Sequence, residues 1–243
     1  MNSLVHTQVD GESWILTLNR PEKLNAMSAE LIDQLQSAVD EAHIQGARLL
    51  IFKGSGKSFC AGFDLSNLNE SSEADLLNRF VRIELLLQSI ANSPCLTLAL
   101  VQGKVFGAGV DLVAVCKERV ASNDVVFRMP GLKFGLVLGT RRFGEIVGIE
   151  NARSILQVTS NFDAKQALDL KFIHSCAQPD NWTEIVDMAK EKSIFLDRHT
   201  QAMFYDVFND PIIKRDRDLS TLVRSAARKG LKERLYAYIN DKK

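Results

Sequence analysis

Two glycine-containing stretches are the parts of this sequence best suited to chemistry. The longer one spans residues 102–112, with glycines at 103, 107 and 109, and the shorter one spans residues 58–65. Glycine lets the backbone approach a bound group closely, and a new helix start aims free N–H groups at that group. Two such loops could converge on one oxyanion. The common alternative is that both are ordinary turns between elements.

A carboxyl group follows the longer stretch at a useful position. Asp111 lies three residues after Ala108, in the first turn of a helix that the apolar pattern predicts for about residues 107–116. A carboxyl group beside a substrate can act as a general acid or base. Asp111 could instead interact with the helix dipole or make a structural hydrogen bond, so both interpretations stay open.

The composition excludes several classes of protein. The 243 residues are 46% hydrophobic and 25% charged, and 30 basic side chains balance 30 acidic ones. This balance gives no electrostatic argument for a nucleic-acid or anionic-membrane partner. The four cysteines form no metal or redox motif, so we expect reduced thiols and no metal. No signal peptide or membrane-spanning run of ~20 apolar residues is evident, which predicts a cytoplasmic location.

The elements around these stretches form a mixed α/β pattern. An Asp-Gly turn predicts a hairpin of strands at 4–9 and 13–18, and a helix at 29–45 followed by a strand at 48–54 predicts a parallel crossover. Further predicted elements are a helix at 73–92, strands at 95–101, 118–121, 125–127 and 172–176, and helices at 141–147, 150–159, 163–170, 181–196, 200–208 and 219–239. We therefore divide the chain into an α/β core, 1–180, and a helical C-terminal region, 181–243.

The motifs, in this order, resemble those of the crotonase (enoyl-CoA hydratase/isomerase) superfamily. The matching stretches are LNRP at 18–21 with Asn25-Ala26, then 59–65, 102–112, 119–122, 127–136 and 164–170. The resemblance implies a spiral of ββα units with a helical C-terminal region, which would contribute to trimerisation and cover the pocket. It also implies homotrimers, often stacked as hexamers, an acyl-CoA substrate and chemistry through a thioester enolate.

The resemblance assigns roles to three residues. By motif position, the backbone N–H groups of Phe63 and Ala108 would form the oxyanion hole, in which one missing donor costs roughly 2.7–4 kcal/mol. Asp111 falls where the family has its first catalytic Glu, so it would be the catalytic acid or base. Its carboxyl group lies about one methylene (~1.5 Å) closer to the backbone, and small displacements of this kind can be costly.

Two departures from the family pattern limit the assignment. The second family Glu falls at Gly131, so the two-glutamate mechanism of hydration cannot be transferred whole. The loop after Leu136 is about three residues shorter than in the family and leads to Arg141 and Arg142. This basic pair could bind an acidic or oxygenated acyl tail, but we favour a subunit or surface contact.

The remaining site residues also follow from the resemblance. The expected CoA-binding residues are Lys23, Leu24, Lys57, Phe59, Cys60 and Ala61. The expected substrate-pocket residues are Gly62, Asp64, Leu65, Gly107, Pro130, Gly131 and Leu136. Lys23 and Lys57 could bind phosphate or simply be solvated, and Asp64 is expected to order its own loop. Glu84 is expected on a solvated helix face, and Cys60 lacks an activating base.

The sequence thus predicts an acyl-CoA enzyme of the hydratase/isomerase type, a lyase or isomerase of fatty acid metabolism. CoA would enter only as part of the thioester substrate, with no separate cofactor. Three other reactions stay open, namely double-bond isomerisation, decarboxylation and thioester hydrolysis. A non-catalytic acyl-CoA-binding homologue is a further alternative.

Overall fold

The computed structural model describes residues 3–241, and it begins with the predicted hairpin. Strands β1 (Val5–Asp10) and β2 (Ser13–Leu18) pair antiparallel, and helix α1 (Ala29–Ile44) leads to β3 (Leu49–Gly54), which lies parallel to β2. The side chain of Ser28 caps α1 by accepting a hydrogen bond from the Leu31 N–H. The predicted hairpin and crossover are both confirmed.

The rest of the described chain forms nine α-helices and six strands. These elements are α2 (Glu73–Ala91), β4 (Leu96–Val101), β5 (Lys104–Phe106), α3 (Ala108–Ala114), β6 (Glu118–Ala121), β7 (Val126–Arg128), α4 (Thr140–Val147), α5 (Ile149–Val158), β8 (Asn161–Asp163), α6 (Ala164–Asp169), β9 (Ser175–Cys176), α7 (Trp182–Ile194), α8 (Arg198–Phe208), α9 (Ile212–Ala226) and α10 (Leu231–Asn240). One sheet has the order β1-β2-β3-β4-β6-β9, and a smaller sheet has the order β5-β7-β8. The small sheet carries the longer glycine stretch, because β5 lies inside it.

Four element predictions were wrong. Strands β5 and β8 were not expected, and the last strand covers only Ser175–Cys176 rather than 172–176. The single helix predicted at 219–239 is two helices, α9 and α10, which are separated at Gly230. Gly230 has a φ of 79°, a left-handed conformation that breaks a helix. Apolar residues continue at helical spacing on both sides of this glycine, so periodicity alone concealed the break.

Two apolar clusters form the core around the two glycine stretches. The larger one packs the main sheet against α1, α2 and α3, and the smaller one joins α2, α9, α10 and the turn at Gly131–Phe134. The C-terminal helices therefore lie directly against the turn that carries Gly131. Among residues 3–241, no helix is long and apolar enough to cross a bilayer.

Candidate active site

A small apolar cavity lies where the two glycine stretches meet. Its volume is about 80 Å³. The lining residues are Ala61, Phe63, Leu65, Phe80, Phe106, Gly107, Ala108, Asp111, Met129, Pro130, Gly131, Leu132, Phe134, Leu136, Leu138, Thr140, Leu156 and Tyr238. We call this space the active-site cavity. Within the described part of the chain, Asp111 provides its only carboxyl group.

The two glycine stretches are in direct backbone contact. The Phe106 N–H donates to the Cys60 carbonyl oxygen at 3.0 Å. A Cβ atom on Gly62, whose φ is 88°, would lie 2.4 Å from the Phe106 carbonyl oxygen, and one on Gly109 would lie 2.4 Å from the Cys60 carbonyl oxygen. Both positions therefore require glycine, because any side chain would separate the loops.

The predicted oxyanion-hole donors both border the cavity. Phe63 follows Gly62, and Ala108 is the first residue of α3. Within residues 3–241, neither of their N–H groups has a hydrogen-bond acceptor. Free N–H groups beside an apolar cavity are the arrangement that a developing oxyanion needs.

The carboxyl group of Asp111 is buried, and one of its oxygens lacks a hydrogen-bond partner among the described residues. Its side chain is 3% exposed, and its Oδ1 atom has no hydrogen-bond partner within the described residues. Burial raises the pKa of Asp111 well above its usual range, the Arg142 charge opposes this shift, and the Glu84 charge adds to it. This shift favours the protonated carboxylic acid more than in a solvated aspartate, and that form carries a proton that could be donated into the cavity.

The backbone of Gly139 lies very close to the carboxyl group of Asp111. A Cβ atom on Gly139 would lie 1.7 Å from Oδ1 of Asp111, and Gly139 has a φ of 64°. Glycine is thus required twice over, for its conformation and for the space that the carboxyl group occupies. Sequence analysis did not identify this residue, because the contact joins residues 28 positions apart.

Behind Asp111 lies a buried ion pair between α2 and α4. Arg142 donates from Nη1 to Oε2 of Glu84 at 3.0 Å, and from Nη2 to the other carboxylate oxygen. The expectation that Glu84 faces solvent was wrong, since its exposure is 1%. The position of Glu84 on an amphipathic helix gave no indication of this pair, because burial depends on which elements pack against the helix.

The favoured interpretation of the two arginines was also wrong in part. Arg142 is 6% exposed and therefore is no surface contact. Arg141 binds Asp218 at 2.7 Å and Asp210 at 2.5 Å, both from the region around the start of α9. Because carboxylates of this chain occupy both guanidinium groups, neither is available to an acidic acyl tail.

The turn at Gly131 supplies no second acid. A Cβ atom on Gly131 would lie 3.1 Å from the Leu136 carbonyl oxygen, so this position is also sterically tight. Gly131, Pro130 and Leu136 line the cavity as expected, as do Leu65 and Gly107.

Two predicted pocket residues do not line the cavity. Gly62 is buried against the Phe106 backbone, and the Asp64 side chain turns toward Arg20 and Ser66. Oδ1 of Asp64 accepts from the Ser66 N–H at 2.8 Å, and Oδ2 contacts Arg20 at 2.5 Å. Burial alone would raise the pKa of Asp64, but the hydrogen bonds from Ser66 and Arg20 outweigh it and lower the pKa. The predicted loop-ordering role of Asp64 is confirmed.

The predicted CoA-binding segments lie next to each other. The Ala61 N–H donates to the Leu24 carbonyl oxygen at 2.9 Å. The Phe59 and Cys60 side chains are buried, so only their backbone could contact a ligand, and burial raises the pKa of Cys60 to about 12. Lys23 and Lys57 are exposed. Contact of these residues with CoA stays a prediction.

The fold also brings to the cavity residues that the sequence did not single out. They are Phe80 from α2, Leu156 from α5 and Tyr238 from α10. Each occupies an apolar position of an amphipathic helix, and nothing in such a pattern separates a pocket wall from an ordinary core contact.

Comparison with known proteins identifies relatives of this chain. Residues 13–214 match the family model for enoyl-CoA hydratase/isomerase. A solved structure of a candidate enoyl-CoA hydratase/isomerase from Bordetella parapertussis is 48% identical, with a TM-score of 0.96 over 98% of this chain and 99% of that one.

Two curated relatives match over a shorter part of their length. The probable enoyl-CoA hydratase echA6 of Mycobacterium tuberculosis is 33% identical over 156 residues, which are 63% of this chain and 62% of that protein. Ethylmalonyl-CoA decarboxylase of Mus musculus is 32% identical over 193 residues, which are 73% of this chain and 56% of that protein. The matched part thus spans about three fifths of these relatives.

Proposed function

Since this chain belongs to the enoyl-CoA hydratase/isomerase family, we propose that it is an enzyme acting on an acyl-CoA thioester. The predicted membership and crotonase-type fold are both confirmed. Within that family, the features of the cavity define the chemistry that this chain can perform.

The proposed mechanism places the thioester carbonyl oxygen between the N–H groups of Phe63 and Ala108. These donors stabilise the negative charge that develops when the thioester becomes an enolate. Asp111 then exchanges a proton with a carbon atom of the acyl group. The observation that carries the proposal is the buried, unpartnered Oδ1 of Asp111 in the same apolar cavity as the two free N–H groups.

The site favours reactions that need one acid. In hydration, water adds to the β-carbon while an acid delivers a proton to the α-carbon, and a second group normally activates the water. Gly131 cannot activate water, so hydration would depend on Asp111 alone. In double-bond isomerisation, the ionised form of one carboxyl group removes a proton at one carbon, and the acid so formed returns it at another.

The decisive test measures turnover of crotonyl-CoA and longer enoyl-CoAs. The readouts are the loss of the enoyl-thioester absorbance and the mass spectra of the products. We expect Asp111→Asn to lower kcat by about 10²–10⁴-fold, since the amide has no proton to transfer. Binding of butyryl-CoA, which cannot react, should remain within about twofold. Retention of more than a tenth of the activity in this variant would exclude Asp111 as the acid.

A second candidate reaction is decarboxylation of a malonyl-type thioester. The neutral form of Asp111 favours it, because the acid would be needed only after the bond breaks. The C–C bond to the carboxylate breaks, CO₂ leaves, the electron pair forms the enolate, and Asp111 donates its proton to the α-carbon. A relative named ethylmalonyl-CoA decarboxylase adds support. Release of CO₂ from malonyl-, methylmalonyl- or ethylmalonyl-CoA would separate this reaction from hydration and isomerisation.

The assembly and cellular setting are parts of the same proposal. We propose a homotrimer or a dimer of trimers that works in the cytoplasm in fatty acid metabolism. Support for the location comes from the four cysteines, which are all free thiols in the structure. Cell fractionation with an antibody to the protein tests the location directly.

A further inference from the structure

A larger groove adjoins the active-site cavity between α4, α5 and the start of α9. Its volume is about 850 Å³. Three residues, Leu132, Thr140 and Leu156, line both the groove and the cavity. We call this space the α4–α5 groove. These shared side chains place the groove next to the proposed site of chemistry.

One wall of the cavity consists of buried aromatic side chains. Phe80, Phe134 and Tyr238 form this wall and are 1%, 7% and 6% exposed. They pack in one apolar cluster with Leu222 and Leu235 of the C-terminal helices. The cavity volume of about 80 Å³ is small beside the 850 Å³ of the α4–α5 groove. The groove therefore offers more room for a longer chain than the cavity does.

The groove has an apolar surface that packing within this chain does not explain. Ile149 and Ile213 line it although they are 63% and 77% exposed, and Ala152 lies with them. Exposed apolar side chains that line a groove indicate a binding surface.

Most charged groups around the groove already have partners. Arg141 and Lys214 both bind Glu145, at 2.5 and 3.0 Å, and Arg153 binds Glu150 at 2.7 Å. These ion pairs reduce the charge that the groove presents to a ligand, and Arg217 is the lining cation without an ion pair among the described residues.

We propose that the α4–α5 groove binds the tail of a straight-chain, uncharged acyl group, so that the substrates are medium- or long-chain acyl-CoA thioesters. This inference rests on the proposed function, because it assumes that the thioester lies in the active-site cavity. Each methylene buried in the groove should strengthen binding by up to about fourfold.

Calorimetric titration with butyryl-, octanoyl- and dodecanoyl-CoA tests the proposal on the full chain. We expect Kd to fall at least tenfold from butyryl- to octanoyl-CoA and further with dodecanoyl-CoA. If butyryl-CoA binds and the longer thioesters bind no better, the groove is not an acyl site, although the proposed function stands. If none of the three thioesters binds, the proposed function fails as well.

A pair of adjacent substitutions provides a matched control. Ile213→Asp places a charge in the groove, whereas Ile212→Asp places the same charge on a neighbouring residue that is 66% exposed and does not line it. We expect Ile213→Asp to abolish the gain with chain length and leave butyryl-CoA binding within twofold. Ile212→Asp should change neither.

A second pair on α5 makes the same comparison independently. Ile149→Asp should reproduce the effect of Ile213→Asp, and Val158→Asp, at a residue 66% exposed outside the groove, should not. Equal effects of groove and control variants would overturn the proposal. So would a change of oligomeric state in the groove variants with an unaltered chain-length profile, since the groove would then be a contact between copies.

Discussion

Asp111 combines features that stability alone would disfavour. Its carboxyl group is buried, one oxygen is unpartnered, and the nearest cation that lowers its pKa, Arg142, is already bound by Glu84. Leaving a buried polar atom unpaired costs roughly 1–3 kcal/mol. Features that oppose stability in this way are characteristic of functional sites. The same burial makes the stability of the protein depend on pH in a predictable direction.

We expect the Asp111→Asn variant to gain stability relative to the unmodified protein as the pH is raised above about 4. Because the pKa of Asp111 is higher in the folded state than its usual 3.8, its stabilising contribution is complete below that value. The contribution is lost as the pH rises through the folded-state pKa. Urea unfolding between pH 4 and 8 measures the difference, with Asp216→Asn, at an exposed residue of α9, as the control. A difference that is constant with pH would contradict the shift.

Gly139 is predicted to be as important for activity as a catalytic side chain. In Gly139→Ala the new Cβ atom would overlap Oδ1 of Asp111, so we expect kcat to fall at least tenfold as the carboxyl group is displaced. Gly11→Ala is the matched control, because Gly11 also has a positive φ, 58°, but has no atom within 4 Å of the new Cβ. Both variants should lose about 1–2 kcal/mol of stability to backbone strain. Equal kcat values for the two variants would show that the contact has no catalytic importance.

At the scale of elements, the buried pair Glu84–Arg142 joins α2 to α4 behind the carboxyl group of Asp111. Helix α4 begins directly after Gly139, so a shift of α4 would move the Gly139 backbone, which lies close to the Asp111 carboxyl group. Asp218 lies 3.5 Å from Arg142 and connects α9 to the same pair. These ion pairs connect three helices, and the Glu84 and Arg142 side chains are largely shielded from water.

Removing one partner of this pair should be costly. We expect Glu84→Gln to lower the free energy of unfolding by about 3 kcal/mol, because it leaves the buried Arg142 charge undercompensated. The double variant Glu84→Gln/Arg142→Gln should lose less than the sum of the two single variants, as measured by urea unfolding. Glu150→Gln provides the contrast, since its ion pair with Arg153 is exposed and is worth about 0–1 kcal/mol. A loss below 1 kcal/mol in Glu84→Gln would contradict the structural role of the pair.

At the scale of the molecule, apolar side chains remain exposed on the C-terminal helices. Phe195, Val207 and Phe208 are 86%, 79% and 74% exposed. Such residues on a folded chain indicate an interaction surface. The homotrimer predicted from the family resemblance would supply a partner for it.

Light scattering after size-exclusion chromatography should therefore give a molar mass three or six times that of one chain. We expect Phe208→Glu to lower this mass, because a charge buried in an apolar contact is strongly disfavoured. A monomeric unmodified protein would contradict the proposed assembly, and an unchanged mass in the variant would exclude α8 from the contact.

Much of the site followed from local sequence, because its donors are backbone groups. The conformation that exposes the N–H groups of Phe63 and Ala108 depends on glycines that immediately precede them, so short motifs carry the information. Asp111 could be identified in the same way, from its spacing to Ala108. The absence of a second acid at Gly131 was equally visible from the sequence.

Only the tertiary structure revealed what surrounds these groups. Segments far apart in the chain meet in the Glu84–Arg142 pair, in the close approach of Gly139 to Asp111 and in the groove beside Leu156. The residue types at these positions suit other roles equally well. A solvated Glu and a buried, paired Glu look alike on an amphipathic helix, because burial depends on what packs against it. The sequence by itself therefore determined the fold family and predicted the backbone donors, because both depend on short local motifs. Only the tertiary structure showed the burial that raises the pKa of Asp111 and the groove beside the cavity, because both depend on contacts between distant residues.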